Sequence, residues 1–266
     1  MCNRDDSSPV VVNCTFAGNS AANDGIGGGM HNYNSSPVVV NGTFNGNSAA
    51  YGCGMYNRDS SPVVANCVVW DNNENNSHPE IYNWGGNPTI TNCVVKDGSI
   101  VDNSATTTSA DIITADPVLG NLAVNGGHVP TIQISAGGGA YRAGLAPGTH
   151  SFNGKAFTIP AADARGAAFD TTSADIGAYS YVAESVTLTL DKNAISGDET
   201  AQASVGVKLT GTASADTYPS AVTYTATPAD VVSIDAQTGV VTGLAAGTAN
   251  ITAALKADAS KTATQR

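Results

Sequence analysis

Few side chains in this 266-residue sequence could do chemistry, and their spacing decides what kind. There are five cysteines, at positions 2, 14, 53, 67 and 93. Cys14, Cys67 and Cys93 each follow an asparagine directly. A metal or redox cluster would need a Cys-x-x-Cys or Cys/His spacing, and none occurs. A column of small apolar thiols in a core fits the pattern better. The polar loop from Asp71 to Glu80 carries carboxylates of the kind Ca²⁺ prefers, but not at EF-hand spacing, so it reads as a solvated loop. Hydrolysis of a glycosidic bond needs two carboxyls about 5–9.5 Å apart. The repeating strands carry Val, Asn, Thr, Cys and Ala and no acid. Asp163, Arg165 and Asp175 read as a buried ion pair tying the end of the domain to its last coil. The four histidines (His31, His78, His128, His150) are scattered, and no Gly-x-Ser-x-Gly, phosphate-loop or zinc motif is present. The expectation is no catalytic residue, no metal and no cofactor. Tyr33, Tyr56 and Trp84, with Tyr82 beside them, are instead candidates for a contact strip. Exposed aromatics stack on sugar rings or anchor a protein partner.

These residues are positioned by a repeat. Ser7-Ser8-Pro9-Val10-Val11-Val12-Asn13-Cys14-Thr15-Phe16 recurs as Ser35-Ser36-Pro37-Val38-Val39-Val40-Asn41-Gly42-Thr43-Phe44. It recurs again from Ser60 to Val69 and, more loosely, from Asn87 to Val95. Pro9, Pro37, Pro62 and Pro88 lie 28, 25 and 26 residues apart. A short period of β-branched runs without helical pattern means stacked coils of a parallel β-helix. Period-2 alternation puts Val10, Val12, Cys14 and Phe16 on one face, unless a bend at Asn13 changes the facing. Each position then stacks on its counterpart about 4.8 Å away. Asn13, Asn41, Asn66 and Asn92 are expected to form an amide ladder, with Cys14, Cys67 and Cys93 stacked beside them around Gly42. Asn19, Asn47 and Asn72 are candidates for a second ladder at the next corner. Met1-Cys2-Asn3-Arg4-Asp5-Asp6 matches Met55-Tyr56-Asn57-Arg58-Asp59-Ser60, so the chain is expected to begin inside a repeat.

The net charge is −11, and charged residues make up only 12%. A negative chain suits neither nucleic-acid phosphates nor anionic membrane surfaces. No run reaches transmembrane length, so no membrane insertion is expected. Open strand edges at a coil end would invite self-association.

Three resemblances follow from these motifs. Gly-Gly-Gly-Met, Ser-Ser-Pro-Val-Val-Val-Asn-Cys-Thr-Phe and Gly-Asn-Ser resemble the right-handed parallel β-helix repeats of bacterial surface proteins, including the polymorphic outer-membrane protein type. Asp116-Pro117, Gly126-Gly127-His128, Asp163-Ala164-Arg165-Gly166 and Asp175-Ile176-Gly177-Ala178-Tyr179 resemble the choice-of-anchor Q segment that closes such helices. It departs from that pattern at Ser180 and at Tyr141-Arg142-Ala143-Gly144. The alternating Val186–Leu190, and Val231–Asp235 leading through Thr238-Gly239-Val240-Val241-Thr242-Gly243 to Asn250-Ile251-Thr252, resemble the group 2 bacterial immunoglobulin-like domain. That resemblance implies a secreted or surface protein.

The sequence thus predicts an all-β chain. Residues 1–104 are coils of a right-handed parallel β-helix, N-terminally truncated. Residues 105–182 are its C-terminal cap, and 183–266 are an immunoglobulin-like sandwich whose closing strand is cut short. The expected function is a non-enzymatic adhesin-like rod, extracellular or on the bacterial surface, binding glycans or a host or cell-surface protein. The alternative is a fragment of a β-helix polysaccharide lyase or glycoside hydrolase whose catalytic coils lie elsewhere.

Overall fold

Asparagine, aspartate and glycine set the shape of each repeat, because they enter the left-handed backbone region most readily. In the computed structural model nearly all coil corners turn on such residues, Ser104 being an exception. The first corner uses Asn34, Asp59 and Gly85, with φ of 47°, 49° and 70°. The second uses Asn13, Asn41, Asn66 and Asn92, at 54°, 51°, 51° and 49°. The third uses Gly18, Gly46, Asp71 and Asp97, at 65°, 67°, 52° and 53°. In the first three coils each stretch between corners holds one short strand of three or four residues.

The structure describes residues 1–21, 25–72, 78–135, 137–196, 198–209, 215–217, 222–236, 238–256 and 260–266. They fall into two compact units, Met1–Tyr181 and Val182–Arg266. The first begins with three full coils. These are β1 (Cys2–Arg4), β2 (Val10–Val12) and β3 (Thr15–Ala17); β4 (Met30–Tyr33), β5 (Val38–Val40) and β6 (Thr43–Asn45); β7 (Met55–Arg58), β8 (Val63–Ala65) and β9 (Val68–Trp70). Then come β10 (Ile81–Trp84) with the longer β11 (Thr89–Val95), and β12 (Ile100–Asn103) with β13 (Thr108–Ile113). All of them pair in parallel. Sheet I is β1-β4-β7-β10-β12, sheet II is β2-β5-β8-β11, and sheet III is β3-β6-β9-β11, with β13 alongside β11. The chain is therefore a β-solenoid followed by a second β unit. The coils run to Ile113, beyond the 104 expected from the repeat, because β12 and β13 keep the pairing after the Ser-Pro-Val-Val signature is lost.

The core corrects one reading. Val11, Val39, Val64 and Ile90 point inward, together with Phe44, Cys67, Val69, Cys93 and Val95. Val10 and Val12 do not share a face with Cys14 and Phe16, and Val10 is 71% exposed. The left-handed residue at Asn13 resets the alternation, so parity cannot be carried across it. Phe16 stacks flat on Phe44, with ring centres 4.5 Å apart. All five cysteines are free thiols. Cys14, Cys67 and Cys93 do line one inner column around Gly42, whose N–H faces the Cys67 sulfur at 3.3 Å.

Side-chain amides tie the coils together, but not where the sequence pointed first. In the Asn13 column only one step is made, Asn41 Nδ2 donating to Asn13 Oδ1 at 3.3 Å. Asn66 turns outward instead, exchanging hydrogen bonds with the backbone of Leu145. The unbroken ladder lies inside sheet I. Asn3, Asn32 and Asn57 each donate to the next, ending at Asn83, at 2.8, 2.7 and 2.8 Å. Asn83 then donates to Asp102 at 2.9 Å. The second ladder holds as a column. Asn19 donates to Asn47 and Asn47 to Asn72, at 2.8 and 2.7 Å, and Asn72 donates to Glu80 at 2.6 Å.

Residues 114–181 do not simply close the coil end. β14 (Leu122–Ala123) and β15 (Thr131–Ile132) form one hairpin, and β16 (Gly148–Phe152) and β17 (Lys155–Ile159) another. Phe157, Ile159, Phe169 and Ala174 pack on the outer face of sheet II, against Val40, Val63 and Ala65. Lys155 Nζ donates to the carbonyls of Ser61 and Asn87, and Asn13 Nδ2 to that of Ala162. The segment thus runs along the flank from the fourth coil back to the first. At Gly177, with φ of 105°, a Cβ would sit 2.8 Å from Thr43 Oγ1, so only glycine permits this approach.

The second unit contains β18 (Ala183–Leu190), β19 (Thr200–Leu209), β20 (Ala215–Thr217), β21 (Val222–Thr227), β22 (Val232–Ile234), β23 (Val240–Gly243), β24 (Asn250–Leu255) and β25 (Thr262–Gln265). One sheet has the order β18-β19-β23-β22, with β20 on β19, and the other β21-β24-β25. All pairs are antiparallel. Val186, Leu188, Val205, Val207, Val222, Tyr224, Ile251 and Leu255 are buried, the alternation a two-sheet core requires. The closing strand β25 is present and pairs with β24.

Both tryptophans, Trp70 and Trp84, belong to the solenoid unit, so tryptophan fluorescence reports its unfolding alone. Asn57→Ala removes a fully buried ladder member and strands a donor on Asn32 and an acceptor on Asn83. It is expected to lower the unfolding free energy by about 2–4 kcal/mol. Asn19→Ala, at an exposed ladder end, should cost less than half as much in the same denaturant titration. In native thiol labelling, Cys2 should react first and Cys14 more slowly. Cys53, Cys67 and Cys93 should react only on unfolding.

Candidate functional site

Sheet I sorts its residues strictly by parity. Met30 and Asn32, Met55 and Asn57, and Ile81 and Asn83 point inward and are buried. Their neighbours point outward and fall into two columns through the parallel register. One column is Cys2, His31, Tyr56, Tyr82, Val101, and the other is Arg4, Tyr33, Arg58, Trp84, Asn103. Adjacent coils thereby lay rings side by side.

Tyr56 and Tyr82 stack in parallel, centres 5.4 Å apart and planes 3° apart. His31 meets Tyr56 edge-on at 5.5 Å, and Tyr51 meets Tyr82 edge-on at 5.2 Å. Asn103 Nδ2 donates to the Tyr82 hydroxyl at 3.1 Å. In the second column the Arg58 guanidinium lies 5.3 Å over the Tyr33 ring, a cation–π contact. Trp84 follows Arg58 and is 44% exposed. Burial, then Arg4, Arg58 and the N-terminal amine, hold the His31 imidazole below its ordinary pKa, so it is neutral at pH 7. Burial pushes the Tyr56 phenol up.

The structure brings Tyr33, Tyr56 and Trp84 onto one face. Tyr56 departs from its expected exposure. It is 5% exposed, the middle of a stack, and supports the strip more than it contacts anything. Arg58 and Tyr51 belong to the face and were not assigned to it from sequence. Aligning Met30-His31-Asn32-Tyr33, Met55-Tyr56-Asn57-Arg58 and Ile81-Tyr82-Asn83-Trp84 would have found Arg58. The exposed Arg58–Asp59 pair, 3.6 Å apart, contributes little and leaves the guanidinium usable.

The acidic cluster of the flank also departs from expectation. Asp163 and Arg165 form a buried ion pair at 2.7 Å, with the guanidinium 3.7 Å over Tyr179. Asp163 accepts from the N–H groups of Arg165, Ala167 and Ser180, and Arg165 donates to the carbonyls of Asn125 and Ser180. Through these contacts the pair knots turns of the flanking segment to one another. Asp175 is linked to them through Ser180, accepting from the N–H groups of Arg142 and Tyr181 and from Ser180 Oγ. Burial pushes it up to about 6. Burial likewise pushes Glu80, the end of the second ladder, up to about 7. Residues 73–77 of the Asp71–Glu80 loop, and with them most of the Ca²⁺ reading, lie outside the described residues.

Residues 182–265 match the family model of the bacterial Ig-like domain (group 2), and they are the two-sheet unit described above. The chain is thus a β-solenoid followed by an immunoglobulin-like domain of that group, a kind typical of bacterial surface proteins. No curated protein and no solved structure matches the chain. Among the described residues no helix is long and apolar enough to cross a membrane.

The two raised carboxyls fix a pH dependence. Their folded pKa values, about 6 and about 7, exceed the ordinary 3.8 and 4.5. The folded state therefore holds protons that the unfolded chain releases, and the stability they contribute is lost as pH rises through about 6–7. Asp170 and His31 are lowered and act the opposite way, Asp170 only in more acid solution and His31 below its ordinary 6.5, where the two carboxyls outweigh it. The solenoid unit should resist denaturant better at pH 5 than at pH 8. Glu80→Gln should flatten that difference, read by tryptophan fluorescence across a pH series.

Proposed function

We propose that this chain is the solenoid-bearing part of a non-enzymatic, adhesin-like protein of the bacterial surface or secreted medium, whose sheet I presents a weak glycan-binding face. The carrying observation is the pair of outward columns, where Trp84, Tyr33 and Arg58 stand on a backbone fixed by the buried amide ladder. Flat rings offer stacking area for sugar faces, and Arg58 adds hydrogen-bond donors for hydroxyl or carboxylate oxygens. The contacts are few, so one site binds weakly, and useful attachment comes from many copies on one surface. A protein partner is the second occupant of the same face. The immunoglobulin-like domain supports a surface location, as spacer or presenter of the solenoid. On this reading the coils are of the polymorphic outer-membrane protein type and the flank is of the choice-of-anchor Q type. The flank motif residues Asp163, Arg165 and Asp175 support the second assignment by sharing one buried network with Ser180.

The test is a glycan array and a polysaccharide panel probed with the whole chain. Binding is expected at high density, and Trp84→Ala should reduce it at least about fivefold, a loss on the scale of one aromatic contact. Binding unchanged by Trp84→Ala, or absent from every surface, would sink the proposal. Release of new reducing ends or unsaturated products, abolished by an aspartate substitution, would establish the lyase or hydrolase alternative.

A further inference from the structure

One of the two outward columns of sheet I has a period of its own. Arg4, Tyr33, Arg58, Trp84 and Asn103 follow one another through the parallel register, a polar group and a ring in alternate coils. Parallel pairing sets the step at about 4.8 Å, so like groups recur about every 10 Å along the solenoid axis. The other column does not alternate. Its rings pack on one another, His31 on Tyr56 and Tyr56 on Tyr82, and leave Tyr56 buried.

The alternating column is the open one. Trp84 is exposed, and the Arg58 and Asp59 side chains, 3.6 Å apart, are both half exposed. Together they offer a donor fork beside an acceptor. That is what two adjacent sugar hydroxyls require, since each hydroxyl both donates and accepts. Arg58 also lies over the Tyr33 ring, which holds it in the column. The strip has no positive excess. Asp5 and Asp6 follow Arg4, and Asp59 follows Arg58, on a chain whose net charge is −11. A polyanion on this strip would meet more carboxylates than guanidiniums, and like charges at close range repel.

Building on the glycan-binding role proposed above, we infer that the ligand of this face is a neutral, extended β-1,4-linked glycan. It lies along the solenoid axis with one sugar per coil, a ring face on Trp84 and a hydroxyl pair on Arg58 and Asp59. In such a chain each sugar advances by nearly one strand spacing and is turned over relative to the last. One edge of the ribbon therefore repeats at every second sugar, the period of the column. Its equatorial hydroxyls leave both ring faces as C–H surface, which suits the indole. An α-1,4-linked chain coils instead and leaves this straight register within a few sugars.

The test titrates the whole chain calorimetrically with cello-oligosaccharides from the disaccharide to the hexasaccharide. Malto-oligosaccharides and oligogalacturonates of the same lengths are the comparison. Affinity for the cello series should rise to the pentasaccharide, one sugar for each coil from Arg4 to Asn103, and then level off. The other two series should bind at least about tenfold more weakly, the loss of a ring contact and one or two hydrogen bonds. Arg4→Ala should weaken the pentasaccharide about threefold, the scale of one hydrogen bond. It should leave the trisaccharide, which needs only Arg58, Trp84 and Asn103, unchanged. Equal loss for both lengths would overturn the run along the axis. A malto or galacturonate series that binds as tightly as the cello series, and is weakened by Trp84→Ala, would overturn the neutral extended chain and leave the glycan-binding face standing. Absence of binding to all three series would overturn the inference as well, and the polysaccharide panel then decides whether the face takes another glycan.

Discussion

The structure of the solenoid depends on a backbone constraint, that one residue per corner must adopt a left-handed conformation. Gly, Asn and Asp do this at low cost and most other residue types do not. Because the same corner recurs in every coil, the residues that turn the chain also stack. An asparagine chosen for its φ at position 13, 41, 66 or 92 therefore arrives in a column with its copies. Strands stay short as well, three or four residues in each of the first three coils, because a corner soon interrupts each run. Short strands bury little each. Stability comes from repetition along the axis, where Met30, Met55 and Ile81 or Val39, Val64 and Ile90 form continuous apolar columns.

The polar interior follows from the same geometry. Asn32, Asn57 and Asn83 are fully buried, and each would cost several kcal/mol if its amide went unpaired. Stacking supplies the partner, since identical residues one coil away present donor to acceptor. A column of amides is complete in its middle and incomplete at its ends, so the ends need a different residue. Asp102 and Glu80 meet that need, each carboxyl accepting from the last amide of its column. Burial of Glu80 has its own cost, visible in its raised pKa.

Much of this was legible in the sequence. The proline spacing gave the coils, the Val-Val-Val-Asn runs gave their strands, and the Thr-Gly-Val-Val-Thr-Gly stretch gave the immunoglobulin-like unit. Less legible was which valine points inward, because a left-handed asparagine breaks the parity on which alternation rests. The sheet I ladder was present as Met-x-Asn or Ile-x-Asn in four coils, if Met1-Cys2-Asn3 is counted. It went unread because the asparagines after the valine runs were the more conspicuous column. Of the contact strip, Tyr33 and Trp84 could be named from type alone, whereas the burial of Tyr56 required knowing that His31 and Tyr82 flank it across coils. The flank had no period to read, and nothing in its composition says that Phe157 and Ile159 lie beside sheet II.

That placement decides which faces of the solenoid are roofed. The flanking segment bonds to Asn13, Thr43, Ser61, Asn66, Asn87 and Thr108, all of them on or beside sheets II and III. It covers valines that the repeat would otherwise expose, Val40 and Val63 among them. Sheet I needs no such cover, because its outward positions in the second to fourth coils are His, Tyr, Arg and Trp, side chains with an apolar body and a polar tip that tolerate water. The two faces are therefore complementary solutions to one problem. A solenoid strand buries only half of its residues in the coil, and the other half must be roofed by chain or be amphipathic. On sheet II the repeat kept valine and added a roof. On sheet I it changed the residues, and the result is a flat aromatic surface held by a ladder that runs directly beneath it.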